Sequence, residues 1–398
     1  MAKLSSSNGL EKRPKLRFPG FDEPWKETTL SAFFSKSTQK NADGHITNVI
    51  CNSAKLGLIP QREYFDKDIA NSDNTSGYYI IRQNDFVYNP RKSSDAPYGP
   101  ISSYKYAEDG IVSPLYLCFH AKDEINPLYY EWYFRSSAWH RYIYMSGDSG
   151  ARHDRVSIKD DTFFAMPINL PSEQEQSKIA SFLQSLDERI AAQEKLVASL
   201  KKYKRGVIKT IFDTLTPVSK SSIGKMATMF SGGTPRSDIV EYYNGSIPFI
   251  RSGEIHNDFT ELHLSQIGLD NSSAKMVRKG DLLYALYGAT SGEVDISKID
   301  GAINQAILCI RTNEISSEYL ALWLEINKNN ILSKMLQGGQ GNLSGELVKS
   351  LVVPIYSKTE EQVIVRIGNS INKLIDANTN MLYMLNKAKE SLLQQMFI

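Results

Sequence analysis

The sequence predicts an α+β protein made of two tandem units of one fold, each followed by a long helix, with the two helices pairing as an antiparallel coiled coil. Three observations carry this. Two stretches keep apolar residues at alternating spacings of four and three. The same helix-start signal precedes both. The segments between them repeat as well.

The first stretch contains "PSEQEQSKIASFLQSLDERIAAQEKLVASL" at 171–200. Ser172 stands three residues before Glu175, and Ser357 three before Glu360, 185 residues further on. Both are S-x-x-E capping boxes, in which Ser and Glu side chains satisfy orphan backbone N–H groups. The first seam then reads Ile179, Leu183, Leu186, Ile190, Gln193, Val197, Leu200, Lys204, Val207 and Ile211. The second reads Ile364, Gly368, Ile371, Ile375, Asn378, Leu382, Leu385, Lys389, Leu392 and Met396. The polar interruptions coincide: Gln193 answers Asn378, and Lys204 answers Lys389. Two unrelated amphipathic helices would not share caps, polar slots and endings.

The intervening segments match in order. "IIRQNDFVY" at 80–88 resembles "MVRKGDLLY" at 276–284, and "DGIVSPLYLCF" at 109–119 resembles "DGAINQAILCI" at 300–310. In that alignment Cys118 meets Cys309 and Trp132 meets Trp323. Asn126-Pro127 and Ser317-Glu318 then fall together as helix-start pairs. Each unit reads as a helix starting near Trp25 or Ile223, short β-type runs such as "IPFIRS" and "DLLYALYG", and a helix near 127–140 or 317–330. A Gly/Ser-rich loop and a last apolar run follow. The boundaries are a disordered basic tail over 1–17, a first unit over 18–169, a central spacer helix over 170–212, a second unit over 213–355 and a C-terminal spacer helix over 356–398.

The polar slots favour an orientation. Parallel helices would set Lys204 beside Lys389, which repel. Antiparallel helices separate the lysines and still bring Gln193 near Asn378, a buried polar pair of the kind that fixes register. Each seam is roughly 50 Å long at 1.5 Å per residue. That length corresponds to about 15 base pairs of B-DNA. Two units inverted at the ends of such a rod suit a protein two-fold docked on a DNA two-fold, and units of different sequence imply different half-sites.

Composition narrows the classes. The chain has 398 residues, 41% hydrophobic and 23% charged, and a net charge of only +2, so a nucleic-acid surface must be local. No apolar run reaches the roughly 18–20 residues that cross a bilayer, and "MAKLSSSNGLEKRPKLRFPG" lacks the apolar stretch of a secretory signal. A cytoplasmic location and no membrane partner follow as expectations. Cys51, Cys118 and Cys309 form no CxxC pair and the six histidines no HExxH, so no metal site is expected. There is no phosphate-binding G-x-x-x-x-G-K-[ST] loop, no [DN]-P-P-[YF] loop of an amino-methyltransferase and no distinctive carboxylate pair. Neither a catalytic residue nor a cofactor is expected. A self-contained DNA-modifying enzyme is thus disfavoured. A coiled-coil scaffold binding only proteins would explain the helices but not the loop-rich units.

Those loops hold the candidate DNA contacts. In the first unit they are Arg91 and Lys92 after a strand, and Arg152, His153 and Arg155 in "SGARHDR". In the second they are Arg236 after "GGTP", Arg251 and Ser252 in "FIRSGE", Tyr287 and Thr290 in "LYGAT", and Gln340 and Asn342 in "GGQGN". Arg can bond guanine bidentately, Asn and Gln can do so with adenine, and the rest can hold phosphates. For any one of them the alternative is a solvated loop residue. The coiled-coil interface is expected to use Ile179, Leu183, Leu186, Ile190, Gln193, Val197, Leu200, Ile371, Ile375, Asn378, Leu382 and Leu385.

From about Arg17 to Ile398 the chain resembles the specificity subunits of type I restriction–modification systems. The carriers are "LRFPGF" with "PW" at 16–25, "LPSEQEQSKIASFLQSLDERI" at 170–190, "KRGVIKTIF" at 204–212, "SGGTPR" at 231–236, "IPFIRSGEI" at 247–255 and "YGATSGEVDI…INQAI" at 287–307. The first unit departs more, with "YNPRKSSDAPYGPISSYKY" where the second has "YALYGATSGEVDI". The resemblance implies that the two units are target recognition domains, each reading half of a bipartite double-stranded DNA sequence. It further implies that the coiled coil spaces them and docks two methyltransferase (modification) subunits. By the same resemblance, restriction (motor–nuclease) subunits are expected to join in larger assemblies, and the chain itself is expected to catalyse nothing.

Overall fold

The structure, a computed structural model, describes residues 13–64, 75–147, 154–337 and 343–398. The chain divides into two compact units: residues up to Gln193 together with Met381–Ile398, and Glu194–Asn380.

The first unit runs β1 (Lys26–Thr29), α1 (Leu30–Phe33), β2 (Phe34–Ser37), β3 (Ile50–Ser53), β4 (Gly57–Pro60), α2 (Gln61–Tyr64), β5 (Tyr79–Ile81), β6 (Phe86–Tyr88), β7 (Ile101–Ser103), β8 (Gly110–Val112), β9 (Leu117–Ala121), α3 (Pro127–Arg135), α4 (His140–Ser146), α5 (Asp160–Phe164) and β10 (Pro167–Leu170), then enters α6 (Glu173–Thr214). An antiparallel sheet has the order β2-β9-β6-β7, and β1-β10, β3-β4 and β5-β8 pair as ribbons. The second unit runs β11 (Ser219–Ser222), α7 (Ile223–Met226), β12 (Ala227–Ser231), β13 (Tyr243–Ile250), β14 (His263–Leu264), α8 (Gln266–Asp270), β15 (Lys275–Val277), β16 (Leu282–Ala285), β17 (Val294–Ile296), β18 (Gly301–Ile303), β19 (Ile307–Thr312), α9 (Ser317–Gln337), α10 (Gly345–Ser350), β20 (Val352–Ile355) and α11 (Lys358–Met396). Its main sheet, β12-β19-β16-β17, repeats the order of the first.

The sequence repeat is therefore a repeat of register. Val87 faces Cys118 across β6 and β9, and Leu283 faces Cys309 across β16 and β19. Both cysteines are fully buried. The turn into the central strand is also shared. Asn84 and Gly280 take positive φ, 72° and 96°. The next residue, Asp85 or Asp281, accepts the backbone N–H of Arg82 or Arg278 at 2.8 Å. Asn and Gly tolerate that left-handed backbone and Asp closes the turn, which is why "QND" and "KGD" stand there.

Two expected helix starts are corrected. No helix begins near Trp25, because Lys26–Thr29 is extended and pairs with Pro167–Leu170; only the short α1 follows. In the second unit α9 is capped by Ser316, not Ser317: Tyr319 N donates to Ser316 Oγ at 3.2 Å. Asn126 does cap α3, accepting from Tyr129 N at 3.2 Å with Pro127 in the first turn.

Each unit buries its own portions of the two long helices. In the first, Ile179 and Leu183 share a core with Met396 and Phe397, whose ring meets Tyr129 and Tyr133. Lys389 pairs with Asp187, and Asn169 Nδ2 reaches Ile398 O at 3.5 Å. Ascending positions from 169 to 187 thus meet descending positions from 398 to 389, so the segments run antiparallel. In the second unit, Phe212 packs on Tyr319 and Tyr356, Ile364 lies in the same core, and Lys204 reaches Glu325 at 2.5 Å. The matched lysines are therefore neutralised by different carboxylates. The interface candidates are placed as follows: Ile179, Leu183, Ile190, Val197, Ile371 and Ile375 are buried, while Leu186, Gln193, Leu200, Asn378, Leu382 and Leu385 are half-buried.

The capping boxes differ. Ser357 and Glu360 satisfy one another's backbone, with Ser357 N donating to Glu360 Oε2 at 3.0 Å and Glu360 N to Ser357 Oγ at 3.3 Å. At Ser172 only half the box forms (Glu175 N to Ser172 Oγ, 3.4 Å), because the buried Glu175 carboxylate takes a bidentate pair from Arg17 at 2.7 and 2.8 Å. The tail expected over 1–17 is thus anchored at its end: Leu16 N also donates to Gln395 O at 3.0 Å. Residues 1–12 of that tail lie outside the described residues.

Glycine permits one helix contact in the second unit. A Cβ on Gly368 would stand 2.5 Å from Leu322 Cδ1, whereas one on Gly206, in α6, would meet nothing within 4 Å. Ala normally outranks Gly in a helix by about 0.5–1 kcal/mol. Gly206→Ala should therefore stabilise by that amount. Gly368→Ala should destabilise by about 1–3 kcal/mol through overpacking. Denaturant titration of the two variants checks the opposed signs.

The second unit also holds an ionic cluster. His256 Nδ1 lies 2.9 Å from Asp295 and Nε2 3.4 Å from Glu293, while Lys328 reaches Glu293 at 2.5 Å and Lys298 lies 3.8 Å from Asp295. The hydrogen bond from Asp295 raises the His256 pKa above its ordinary value, against the opposing effect of burial. The stabilisation is complete below the unfolded pKa of about 6.5 and is lost as pH rises through the higher folded value. The melting advantage of the unsubstituted chain over His256→Gln should be larger at pH 6 than at pH 9.

Candidate nucleic-acid interface

The first unit's candidates converge on one edge. After β6, Asn89 Oδ1 accepts Arg91 N at 3.1 Å, shaping the turn that exposes the Arg91 side chain. Arg91 pairs with Arg155 as an antiparallel bridge. The flanking bonds are Lys92 N to Asp154 O at 2.8 Å and Val156 N to Pro90 O at 2.9 Å. A single bridge outside the named strands thus brings the neighbours Arg91 and Lys92 beside the sequence-distant Arg155. Asp154 stands 3.8 Å from Arg155 Nε and partly offsets it. Like charges held together this way are costly unless an anion is bound, which suits a polyphosphate. Arg152 and His153 lie outside the described residues.

In the second unit, backbone bonds gather the motif loops along one rim. Gly233 N donates to Ile303 O at 3.2 Å, Asn304 N to Ile250 O at 3.3 Å, Leu286 N to Ala306 O at 2.8 Å and Leu343 N to Leu286 O at 3.0 Å. "SGGTPR", "FIRSGE", "LYGAT" and "INQAI" therefore adjoin in sequence-distant pairs. Gly232 is required there, since a Cβ would fall 1.8 Å from Ile303 O.

The side chains on that rim are not equally available. Arg251 is held by Glu254 (2.9 Å) and by Glu261 (2.6 Å), so both carboxylates must be displaced before it can bond a base. It closes the turn containing half-buried Ser252. Arg236 is exposed and forms a fork with Asp238, at 2.7 and 3.2 Å, which water weakens. Tyr287 packs half-buried against the core, and Thr290 Oγ1 is buried without a hydrogen bond among the described residues. Gln340 and Asn342 lie outside the described residues. Sequence reasoning missed Thr234 and the exposed Gln305, joined by a 2.5 Å hydrogen bond across the rim. The signal was present, since both lie inside quoted motifs.

Burial pushes the Cys118 and Cys309 thiols up to about 12, so neither is a nucleophile near neutral pH. Among the described residues no group of three or more His, Cys, Asp and Glu is arranged to hold a metal ion, and no helix is long and apolar enough to cross a membrane.

Comparison with known proteins gives a consistent picture. A family model described as "Type I restriction modification DNA specificity domain" matches twice, over residues 31–202 and 217–385. The "Putative type I restriction enzyme MjaX specificity subunit" of Methanocaldococcus jannaschii is 22% identical over 262 residues, 60% of each chain. The type I restriction enzyme MjaIX specificity subunit of the same organism is 26% identical over 185 residues, 44% of this chain and 42% of that one. The chain thus spans about half the length of these relatives. Among solved structures, the type I restriction-modification system S subunit from M. genitalium aligns over 97% of this chain and 99% of its own, with a TM-score of 0.57 at 15% identity. A chain from "Structural basis underlying complex assembly and conformational transition of the type I R-M system" aligns over 95% and 98%, with a TM-score of 0.59 at 16% identity. These likenesses confirm the fold of two tandem domains. The two family matches together cover most of the sequence, and the chain belongs to the type I restriction modification DNA specificity domain family.

Proposed function

We propose that the chain is the non-catalytic, sequence-reading subunit of a cytoplasmic type I restriction–modification complex. Each unit reads one half of an asymmetric bipartite site in double-stranded DNA. The long helices set the spacer and dock two modification subunits, and restriction subunits join the full assembly. The observation that carries this reading is a duplicated strand order with dissimilar rims. The scaffold is the same twice, while the loops differ: a bridge joining Arg91 to Arg155 in the first, and in the second Arg236 and Arg251 each held by carboxylates beside the Thr234–Gln305 hydrogen bond. Identical folds with different loops are what two readers of different half-sites need.

The helices support the docking part. In the second unit α6 leaves Leu196 and Tyr203 44% and 61% exposed. In the first unit α11 leaves Met381, Tyr383 and Met384 between 47% and 64% exposed. Large apolar side chains left in water on helix faces mark protein contacts.

Exchanging residues 213–355 for those of a relative, with matching modification subunits present, should change one half of the methylated sequence and leave the other; methylome sequencing reads the result. A change in both halves would contradict independent readers. Within the first unit, Arg91→Ala should weaken binding to all sequences alike and reduce the slope of log affinity against log salt by about 1, because it removes one phosphate contact.

A further inference from the structure

The first unit contains a cavity at a place where the second unit buries leucines. It measures about 410 Å³ and opens between the ends of β5, β6 and β9 and the segment leading into α5. Tyr79, Tyr88 and Tyr116 contribute to its wall. Lys36, paired with Asp160 at 2.5 Å, and Arg155 supply its polar groups. Arg155 Nε is buried and makes no hydrogen bond among the described residues.

The internal repeat identifies the same place in the second unit. Tyr88 faces Leu117 across the strands, and Tyr284 faces Leu308. Val156 N donates to Pro90 O as Leu343 N donates to Leu286 O. Pro90, Leu117 and Val156 therefore correspond to Leu286, Leu308 and Leu343. The three leucines are 5%, 3% and 3% exposed and belong to one core, whereas their counterparts line the opening. The duplicated fold thus buries leucines at this place in one copy and lines an opening with it in the other. The cavity is also contiguous with the cationic bridge, because Pro90 precedes Arg91 and Arg155 belongs to both.

Resting on the reading of the first unit as a DNA reader, we propose that this cavity receives one unstacked nucleobase of the half-site that unit reads. Half-buried Tyr79 and Tyr116 offer ring faces that stack on a base irrespective of sequence, while Tyr88, buried and stacked on Phe163, only backs the cavity. Arg155 donates to an acceptor edge, and the Lys36–Asp160 pair offers one donor and one acceptor for discrimination. The bridge holds the phosphates flanking the displaced nucleotide. The second unit, with its leucines in place, reads without displacement.

The complex with modification subunits, bound to its own target duplex, provides the test. 2-Aminopurine is walked through both half-sites, since its fluorescence rises when it leaves the stack. One position in the first half-site, other than the base that is methylated, should brighten several-fold. The double variant Pro90→Leu/Val156→Leu, which copies the second unit, should abolish that rise and relax sequence preference at that position alone. Arg155→Met leaves the space open, so it should keep the rise and lose the preference. Unchanged circular dichroism and melting of the variant complexes, with the second half-site read as before, show that the variants fold. No brightening in the first half-site, or brightening that survives the filled cavity, overturns the proposal. So does saturable binding of free deoxynucleoside monophosphates that duplex does not displace, which would make the site one for a free nucleotide. If the unsubstituted complex shows no sequence-selective binding, the DNA-reading proposal itself fails.

Discussion

The burial of Met396 and Phe397 in the core of the first unit is the contact on which the architecture depends. It carries the end of the last helix to the domain that begins the chain. Once those residues sit beside Ile179, Leu183 and Tyr129, the two helix segments of that unit must run in opposite directions. Burying such side chains stabilises by about 1.5–3 kcal/mol each, more than any surface ion pair. The charges then refine the register. Asp187 receives both Lys389 and Arg135, and Arg135 also holds the buried Glu131 at 2.6 Å. The Arg135 and Lys389 cations each stand over the Trp132 ring, 4.9 and 5.3 Å from its centroid. The globular part and both helices are thereby locked together in this unit.

The two units solve the same packing problem with different residues. The first relies on aromatic rings, with Phe34 edge-on to Phe86, Phe119 and Tyr130. The second is mostly aliphatic and lets Gly368 admit Leu322 against the helix. Burial raises the Asp281 carboxyl in the second unit, but the hydrogen bonds from Arg311 and from the Arg278 backbone N–H, with the Arg311 charge, together hold it below the usual range. In the first unit Asp85, at the same turn, is pushed up by burial. Register and turn geometry survive these changes because they depend on backbone and side-chain size more than on charge.

What was legible in the sequence was local or periodic. The seams, the Ser357 box, the Asn126 cap and the paired strands around Cys118 and Cys309 each follow from a few neighbouring residues. What was not legible depends on distant partners. Glu175 looked like a capping residue but answers Arg17, which also removed Arg17 from the supposed free tail. Arg251 looked like a base reader; Glu254 stood in the same motif, but Glu261, which completes the enclosure, is brought to it only by the fold. Trp25 looked like a helix start because the competing strand partner, Pro167–Leu170, lies more than a hundred residues away. The cavity of the first unit was invisible for the same reason: its walls come from strands and a loop that only the fold assembles.

The central claim is that one chain presents two separate readers to DNA. Hydroxyl-radical footprinting of the chain with its modification subunits on a methylated target tests it most directly. Two protected segments about one helical turn apart, each altered by substitutions in only one unit, are the expected pattern. A single continuous footprint that responds to substitutions in either unit would contradict it.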